Sequence, residues 1–189
     1  MKEIIFVAGL VITVPVGAVL ASIFPRIREA LFFVLVAGTT VMHRADINFM
    51  SREMYRGSTR GIEFSFLDFL SLALLLSCVL SPPPAQKRSV WPASLGFLLA
   101  YVGYCGLSVL MSEPKIFPVF EFTKVLRGLV IFLAVAMYVS KPRDIVVFVL
   151  GLCSSSVYVT SLSLVERYLW GINRVPGPFE HSNEFSQYC

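Results

Sequence analysis

The stretch FPVFEFTKVLRGLVIFLAVAMYV, residues 117–139, has the length and apolar character of a membrane-spanning helix. A helix needs about 20 mostly apolar residues to cross a hydrocarbon core of about 30 Å. Glu121, Lys124 and Arg127 interrupt its first half at helical spacing, which places the three charges on one side of the helix. Ionisable groups at membrane depth are costly and usually face a partner or a water-filled cavity. The stretch therefore predicts a membrane helix with one polar side.

The composition of the whole chain also indicates an integral membrane protein. Its 189 residues are 56% hydrophobic and 15% charged, and the mean hydropathy is +0.75. Soluble domains are usually about 45–50% apolar and roughly 25% charged. The net charge of +4 suits loops beside anionic membrane lipids and does not by itself suggest nucleic acid.

Five further apolar runs accompany this stretch, and short polar segments separate them. The runs cover residues 4–24, 30–42, 64–81, 93–111 and 145–165. The second run is marginal in length, so it either continues into the next segment or lies partly at the interface. The pattern predicts an all-α polytopic membrane protein with about six transmembrane helices in a single domain, residues 1–189.

Residues 43–63, HRADINFMSREMYRGSTRGIE, form a basic segment before the third run. Its arginines stand among aromatic residues and methionines, a mixture typical of a helix or loop lying along the membrane surface. Two interpretations stay open. The segment is either an ordinary basic loop or a surface that binds lipid phosphates.

Ser65 and Asp68 open the third run with the Ser-x-x-acid pattern of a helix start. The serine accepts backbone N–H groups that the first turn leaves unpaired, and the carboxylate complements the positive end of the helix dipole. We therefore interpret Asp68 as a helix cap; the alternative is a catalytic carboxylate.

Small and hydroxyl-bearing residues mark two other helices. Gly96, Gly103 and Gly106 in the fourth run are typical of a close approach between helices. The sixth run is rich in Ser and Thr, whose hydroxyls bond backbone carbonyls or neighbouring helices. Tyr168 and Trp170 follow it and predict an aromatic belt at the interface.

Two interpretations remain for the charges of residues 117–139, the fifth run in chain order. Long charged side chains near a helix end can extend to the interface, so all three are candidates for snorkelling. Alternatively, Arg127 lines a cavity that binds an anion.

The last stretch, RVPGPFEHSNEFSQYC at residues 174–189, is the least apolar part of the chain's end. Its Pro-Gly-Pro sequence forces an irregular loop, residues 171–183. Ser182 or Asn183 then caps a new helix, which predicts the start of a seventh span. Arg174 and the backbone N–H groups of that helix start together suit a phosphate group.

This loop resembles the short motif of the bacterial O-antigen ligase and O-antigen polymerase family. The pattern Arg-x-x-Gly-x-Phe-x-His-x-Asn is matched by Arg174, Gly177, Phe179, His181 and Asn183. Residues 63–77, EFSFLDFLSLALLLS, and residues 120–139 are similar to upstream helices of that family. The family usually has Pro at the position of Ser182, so the preset backbone angle is lost, although Ser still caps a helix.

The resemblance implies a glycosyltransferase of the bacterial cytoplasmic (inner) membrane with a partial GT-C-like helical bundle. Such enzymes transfer or polymerise glycan from undecaprenyl diphosphate onto a lipid or glycan acceptor in O-antigen or exopolysaccharide biosynthesis. The implied reaction inverts the anomeric carbon and needs no metal or cofactor. Arg174 is the implied diphosphate ligand, with Arg127 as a second, and His181 is expected to position Asn183.

Family members continue through further spans and a large extracytoplasmic loop with additional Arg and His residues. The chain therefore resembles their N-terminal portion, and the general base that deprotonates the acceptor is expected in the remaining part. The family places the Arg174 loop on the outer face. Six spans with the N-terminus inside would place it on the inner face, and the balance of Lys and Arg does not decide.

Two functions from other classes stay open. One is a transporter or flippase of lipid-linked sugars, in which the basic groups bind phosphate without transfer. The other is a non-catalytic membrane scaffold, in which the motif is only a turn between helices.

Overall fold

The computed structural model describes residues 6–40, 47–49, 61–82 and 93–172. Six helices account for most of these residues: α1 Phe6–Ile23, α2 Pro25–Ala37, α3 Phe66–Leu80, α4 Ala93–Met111, α5 Ile116–Tyr138 and α6 Pro142–Leu164. Each of the six predicted runs overlaps one helix, which confirms the α-helical class. Most of the basic segment, the predicted seventh span and the motif from Arg174 onward lie outside the described residues.

The part of the chain that the structure describes also contains two short strands. Strand β1, Ile47–Phe49, pairs antiparallel with β2, Ile62–Phe64, and Asn48 lies opposite Glu63. They fall in the segment predicted as an interfacial helix or loop. Strand β2 leads directly into Ser65, the residue before α3.

Among the described residues, three helices are long and apolar enough to cross a membrane: Phe6–Ile23, Ser94–Met111 and Pro142–Leu169. Large apolar side chains such as Phe97, Leu110 and Met111 on α4 are exposed, as expected of a helix that contacts lipid. Helix α3 is equally apolar but shorter, and α5 is long but contains three charges. The architecture is that of an α-helical membrane protein.

Prolines stand at a change of helix type in α1 and at the start of two other helices. A π-helical stretch, Gly9–Thr13, immediately precedes the turn containing Pro15 in α1; proline lacks an N–H, and its ring crowds the preceding turn. Pro25 and Pro142 stand in the first turns of α2 and α6, where a missing N–H costs nothing. Two of the polar segments predicted to separate the apolar runs, residues 25–29 and 140–144, are therefore helical from each proline onward.

The core of the bundle lies between α2, α3, α5 and α6. Helix α3 packs against α1, α2 and α5, while α2 also contacts α6 and α4 packs on α5. The buried cluster contains Phe32, Leu35, Val36, Leu70, Leu74, Cys78, Ala134, Tyr138 and Val147. Phe32 stacks on Tyr138 with ring centroids 4.2 Å apart, which joins α2 to the end of α5.

Hydroxyl groups of α6 make the hydrogen bonds that its composition predicts. The Ser154 and Ser163 hydroxyls donate to the carbonyls of Leu150 and Val159, at 2.8 and 2.7 Å. The Ser155 hydroxyl lies 2.7 Å from that of Thr40, in a buried hydrogen bond between α6 and the turn after α2. The first two bonds satisfy α6 itself, and the third joins two elements.

The Thr40–Ser155 bond is expected to contribute about 0.6 kcal/mol, the average for such bonds in membrane proteins. The measurement is a double-mutant cycle of Thr40→Val and Ser155→Ala, with the free energy of unfolding determined in detergent micelles. Ser154→Ala is the matched control, because its hydroxyl bonds only within α6. Strictly additive losses for the pair would contradict a direct interaction.

Candidate functional site

Helix α3 begins with the cap that its sequence predicts. One carboxylate oxygen of Asp68, Oδ2, accepts the backbone N–H of Ser65 at 2.6 Å and the Ser65 hydroxyl at 3.2 Å. Both residues are buried. Asp68 therefore satisfies a backbone group that the helix start would otherwise leave unpaired, which confirms the interpretation as a cap.

Arg127 binds the same cap from a neighbouring helix. It lies at the midpoint of α5, about 16 Å from either end at 1.5 Å per residue. Its Nε donates to Oδ1 of Asp68 at 2.9 Å, and its Nη2 donates to the Ser65 hydroxyl at 2.9 Å. The Arg127 and Asp68 side chains are 21% and 8% exposed. Arg127 therefore joins the middle of α5 to the start of α3. Its snorkelling to the membrane interface stays a prediction.

A cavity of about 220 Å³ borders this ion pair. Apart from the pair, its walls are largely apolar: Ile62, Phe64, Leu72, Thr123, Leu126 and Val130. The positive charge of Arg127 is balanced by the carboxylate in contact with it, so the pair does not attract an anion by net charge. The role of Arg127 as a diphosphate ligand stays a prediction.

The other two charges of α5 face a different neighbour. Glu121 and Lys124 line a second cavity of about 750 Å³ between α4 and α5, together with Tyr101, Tyr104 and Phe122. The three charges were predicted on one side of the helix. Side chains three residues apart point in directions that differ by about 60° around the helix axis. This difference is enough to turn Arg127 toward α3 while Glu121 and Lys124 face α4.

The motif loop begins at the predicted residue, Gly171. Helix α6 continues as a π-helical turn, Val165–Leu169, and Gly171 follows with a φ of +66°. This left-handed conformation favours glycine and ends the helix. The N–H of Ile172 returns to the carbonyl of Glu166 at 3.1 Å. Arg174, Gly177, Phe179, His181 and Asn183 come after the last described residue.

Glu166 is a candidate site residue that sequence reasoning missed. Its relative exposure is only 1%, although it stands close to the end of α6. A buried carboxylate requires hydrogen-bond or charge partners, and π-helical turns are frequent at functional sites. The available signal was a glutamate directly after residues 145–165, an apolar run that contains no charged residue.

The described part of the candidate site thus consists of the Arg127–Asp68 pair on α5 and α3, and of Glu166 at the start of the motif loop. Ionisable residues inside a helical membrane protein commonly mark substrate or ion pathways. No protein-family model matches this sequence, and no curated protein or solved structure shows significant similarity to it.

Proposed function

We propose that this protein is a membrane glycosyltransferase similar to bacterial O-antigen ligases and polymerases. It takes glycan from undecaprenyl diphosphate and transfers it to a lipid or glycan acceptor at the inner membrane. The proposal rests on the motif that begins at Arg174. One structural observation supports it: α6 leads from a buried carboxylate, Glu166, through Gly171 into the loop that carries this motif.

The proposal includes six transmembrane helices, the start of a seventh and a partial GT-C-like bundle. Its support is that the six helices occupy the six apolar runs. A second point of support is the ion pair between Asp68 and Arg127. It allows α5 to carry a charge at its midpoint within a membrane, because a partner offsets part of the desolvation cost.

The proposed reaction is a direct displacement at the anomeric carbon. The acceptor hydroxyl oxygen forms a bond to that carbon as the bond to the diphosphate oxygen breaks, and the diphosphate leaves with the electron pair. Diphosphate is already a fair leaving group, so the protein must mainly orient it and stabilise its charge. Arg174 is suited to this role, because a guanidinium donates paired hydrogen bonds to phosphate oxygens.

The acceptor hydroxyl must also lose its proton to a general base. Glu166 is too deeply buried to meet an acceptor in the described conformation. Glu166 is therefore not the proposed base, and its backbone carbonyl accepts the N–H of Ile172 just before the motif. The base is expected elsewhere in the protein.

Transfer from undecaprenyl-diphosphate oligosaccharide, measured with the purified product of the whole gene, tests the proposal. Arg174→Ala is expected to lower transfer by roughly tenfold to hundredfold, the equivalent of a hydrogen bond to a charged group. Arg167→Ala is the matched control, since Arg167 is exposed and makes a long 3.4 Å bond to the carbonyl of Ile172. Equal losses in both variants would remove Arg174 as the diphosphate ligand.

A transporter or flippase of lipid-linked sugars is the second candidate. The observation that favours it is the buried ion pair at the midpoint of α5, since paired charges at membrane depth often lie on transport pathways. Reconstituted protein that moves the lipid-linked glycan between leaflets, without forming a new glycosidic bond, would favour this function over transfer.

A further inference from the structure

A polar cavity of about 370 Å³ opens where α1 and α3 end and α2 and α6 begin. The loop between α5 and α6 also contributes to its wall. The charged residues that line it are Arg28, Glu29, Lys141, Arg143 and Asp144. Three of these side chains are cationic and two are anionic, so the wall has one excess positive charge.

Arg28 binds the ends of two helices and keeps part of its charge for the cavity. Its guanidinium donates to three backbone carbonyls at the ends of α1 and α3: Ala21 at 3.1 Å, Ser81 at 2.9 Å and Ser77 at 3.4 Å. These carbonyls have no formal charge, but the negative ends of the two helix dipoles offset part of the arginine's charge. They use three of the five N–H groups of an arginine, so two N–H groups remain for a ligand.

Both carboxylates of the wall already have partners. Glu29 accepts two hydrogen bonds from Nη2 of Arg143, at 2.9 and 3.1 Å. Asp144 accepts the backbone N–H groups of Ser140 and Lys141, both at 2.9 Å, and so caps the start of α6. Glu29 thus offsets the charge of Arg143, while Arg28 and Lys141 together carry one more charge than the remaining carboxylate, Asp144, offsets.

Exposed apolar residues stand next in the chain to residues that line this cavity, and we call them the apolar rim. They are Ile23 and Phe24, between Ser22 and Pro25; Leu80, before Ser81; and Ile145, after Asp144. A cationic cavity with an adjoining apolar rim is complementary to a molecule that joins an anionic headgroup to hydrocarbon chains.

We propose that this cavity binds the phosphate group of an anionic phospholipid. The phosphate contacts Lys141 and the remaining N–H groups of Arg28, and the acyl chains lie along the apolar rim. Basic pockets between transmembrane helices at the membrane surface bind anionic headgroups in this way. A free phosphate shares the headgroup chemistry, but it leaves the rim uncovered. The inference does not depend on the proposed transfer reaction.

The test compares binding of phosphatidylglycerol, phosphatidylcholine and inorganic phosphate to the whole protein in detergent, by native mass spectrometry. Phosphatidylglycerol is expected to bind at least about fivefold more tightly than phosphatidylcholine. Lys141→Gln is expected to remove most of that preference. Lys115→Gln is the matched control, because Lys115 is also exposed but stands before α5, outside the cavity.

Each outcome of this comparison bears on the proposal. Equal affinity for the two lipids would overturn it by showing that the headgroup charge is not recognised. Equal losses in Lys141→Gln and Lys115→Gln would overturn it by showing only general surface attraction. Inorganic phosphate that binds as tightly as phosphatidylglycerol would overturn the lipid as the source of the phosphate. Arg28→Lys provides a second variant: it keeps the charge but loses the geometry of the three carbonyl bonds. It is expected to retain most of the lipid preference.

Discussion

Replacing Arg127 with Met is expected to lower the free energy of unfolding by about 3–5 kcal/mol, the cost of breaking a buried ion pair by removing one partner. The remaining Asp68 side chain is 8% exposed and would lose the Arg127 contact at 2.9 Å. Its bonds to Ser65 alone do not compensate a full negative charge in an apolar surrounding. Reversible unfolding in mixed detergent micelles measures the change.

Arg143→Met is the matched control for this prediction. Arg143 binds Glu29 at the same 2.9 Å distance, but the two side chains are 76% and 34% exposed. Exposed ion pairs contribute about 0–1 kcal/mol, so the control is expected to change stability little. Similar losses of stability in Arg127→Met and Arg143→Met would show that burial does not determine how much these ion pairs contribute to the free energy of unfolding.

A second variant separates the charge from the packing of the arginine side chain. Asp68→Asn combined with Arg127→Met leaves neither buried charge, so the double variant is expected to be more stable than Arg127→Met alone. A double variant that is less stable would indicate that Arg127 stabilises the bundle mainly through its contacts with other residues.

The positions of the six helices were predictable, because each requires a long apolar run and the chain has six of them. The starts of α2 and α6 were not predicted correctly. Pro25 and Pro142 stand in polar segments that were predicted to separate the apolar runs, yet each begins a helix. The same residue type breaks a helix interior and favours a first turn, so the distinction depends on what precedes it.

The sequence could not show which residues far apart in the chain contact each other in the candidate site. The pattern identified Asp68 as a cap, which the structure confirms, and placed Arg127 within a long helix, where it lies at the midpoint of α5. Their pairing joins residues 59 positions apart, and it depends on how α3 and α5 pack. Burial of Glu166 depends in the same way on its neighbours in the fold.

Glycines illustrate the same limit. Gly96 and Gly103 were predicted to allow close helix packing, but an added Cβ at either would meet nothing within 4 Å. Gly106 does approach a neighbour, with Phe122 at 3.5 Å. The closest approach among the described glycines is at Gly151 on α6, which lies outside the glycine-rich helix. Small residues indicate where helices can approach, but the packing decides which of them do.

Gly151→Ala is expected to lower the free energy of unfolding by about 1–3 kcal/mol, the usual cost of adding a methyl group to a filled core. The new Cβ would lie 2.8 Å from Cγ1 and 2.9 Å from Cβ of Val36. A change of rotamer can move Cγ1, but Cβ moves only with the backbone. Helix α2 must therefore shift away from α6, and Val36 belongs to the buried cluster that opposes this shift. Unfolding in detergent micelles measures the loss.

The control is Gly128→Ala on α5, where an added Cβ meets nothing within 4 Å. That variant is expected to be neutral or more stable by up to about 1 kcal/mol, because alanine favours a helix. Val36→Ala should restore Gly151→Ala only in part, since it removes Cγ1 but keeps the Cβ that causes the second close contact. Full recovery would show that α2 and α6 can separate without cost. Equal stability of Gly151→Ala and Gly128→Ala would contradict the close approach itself.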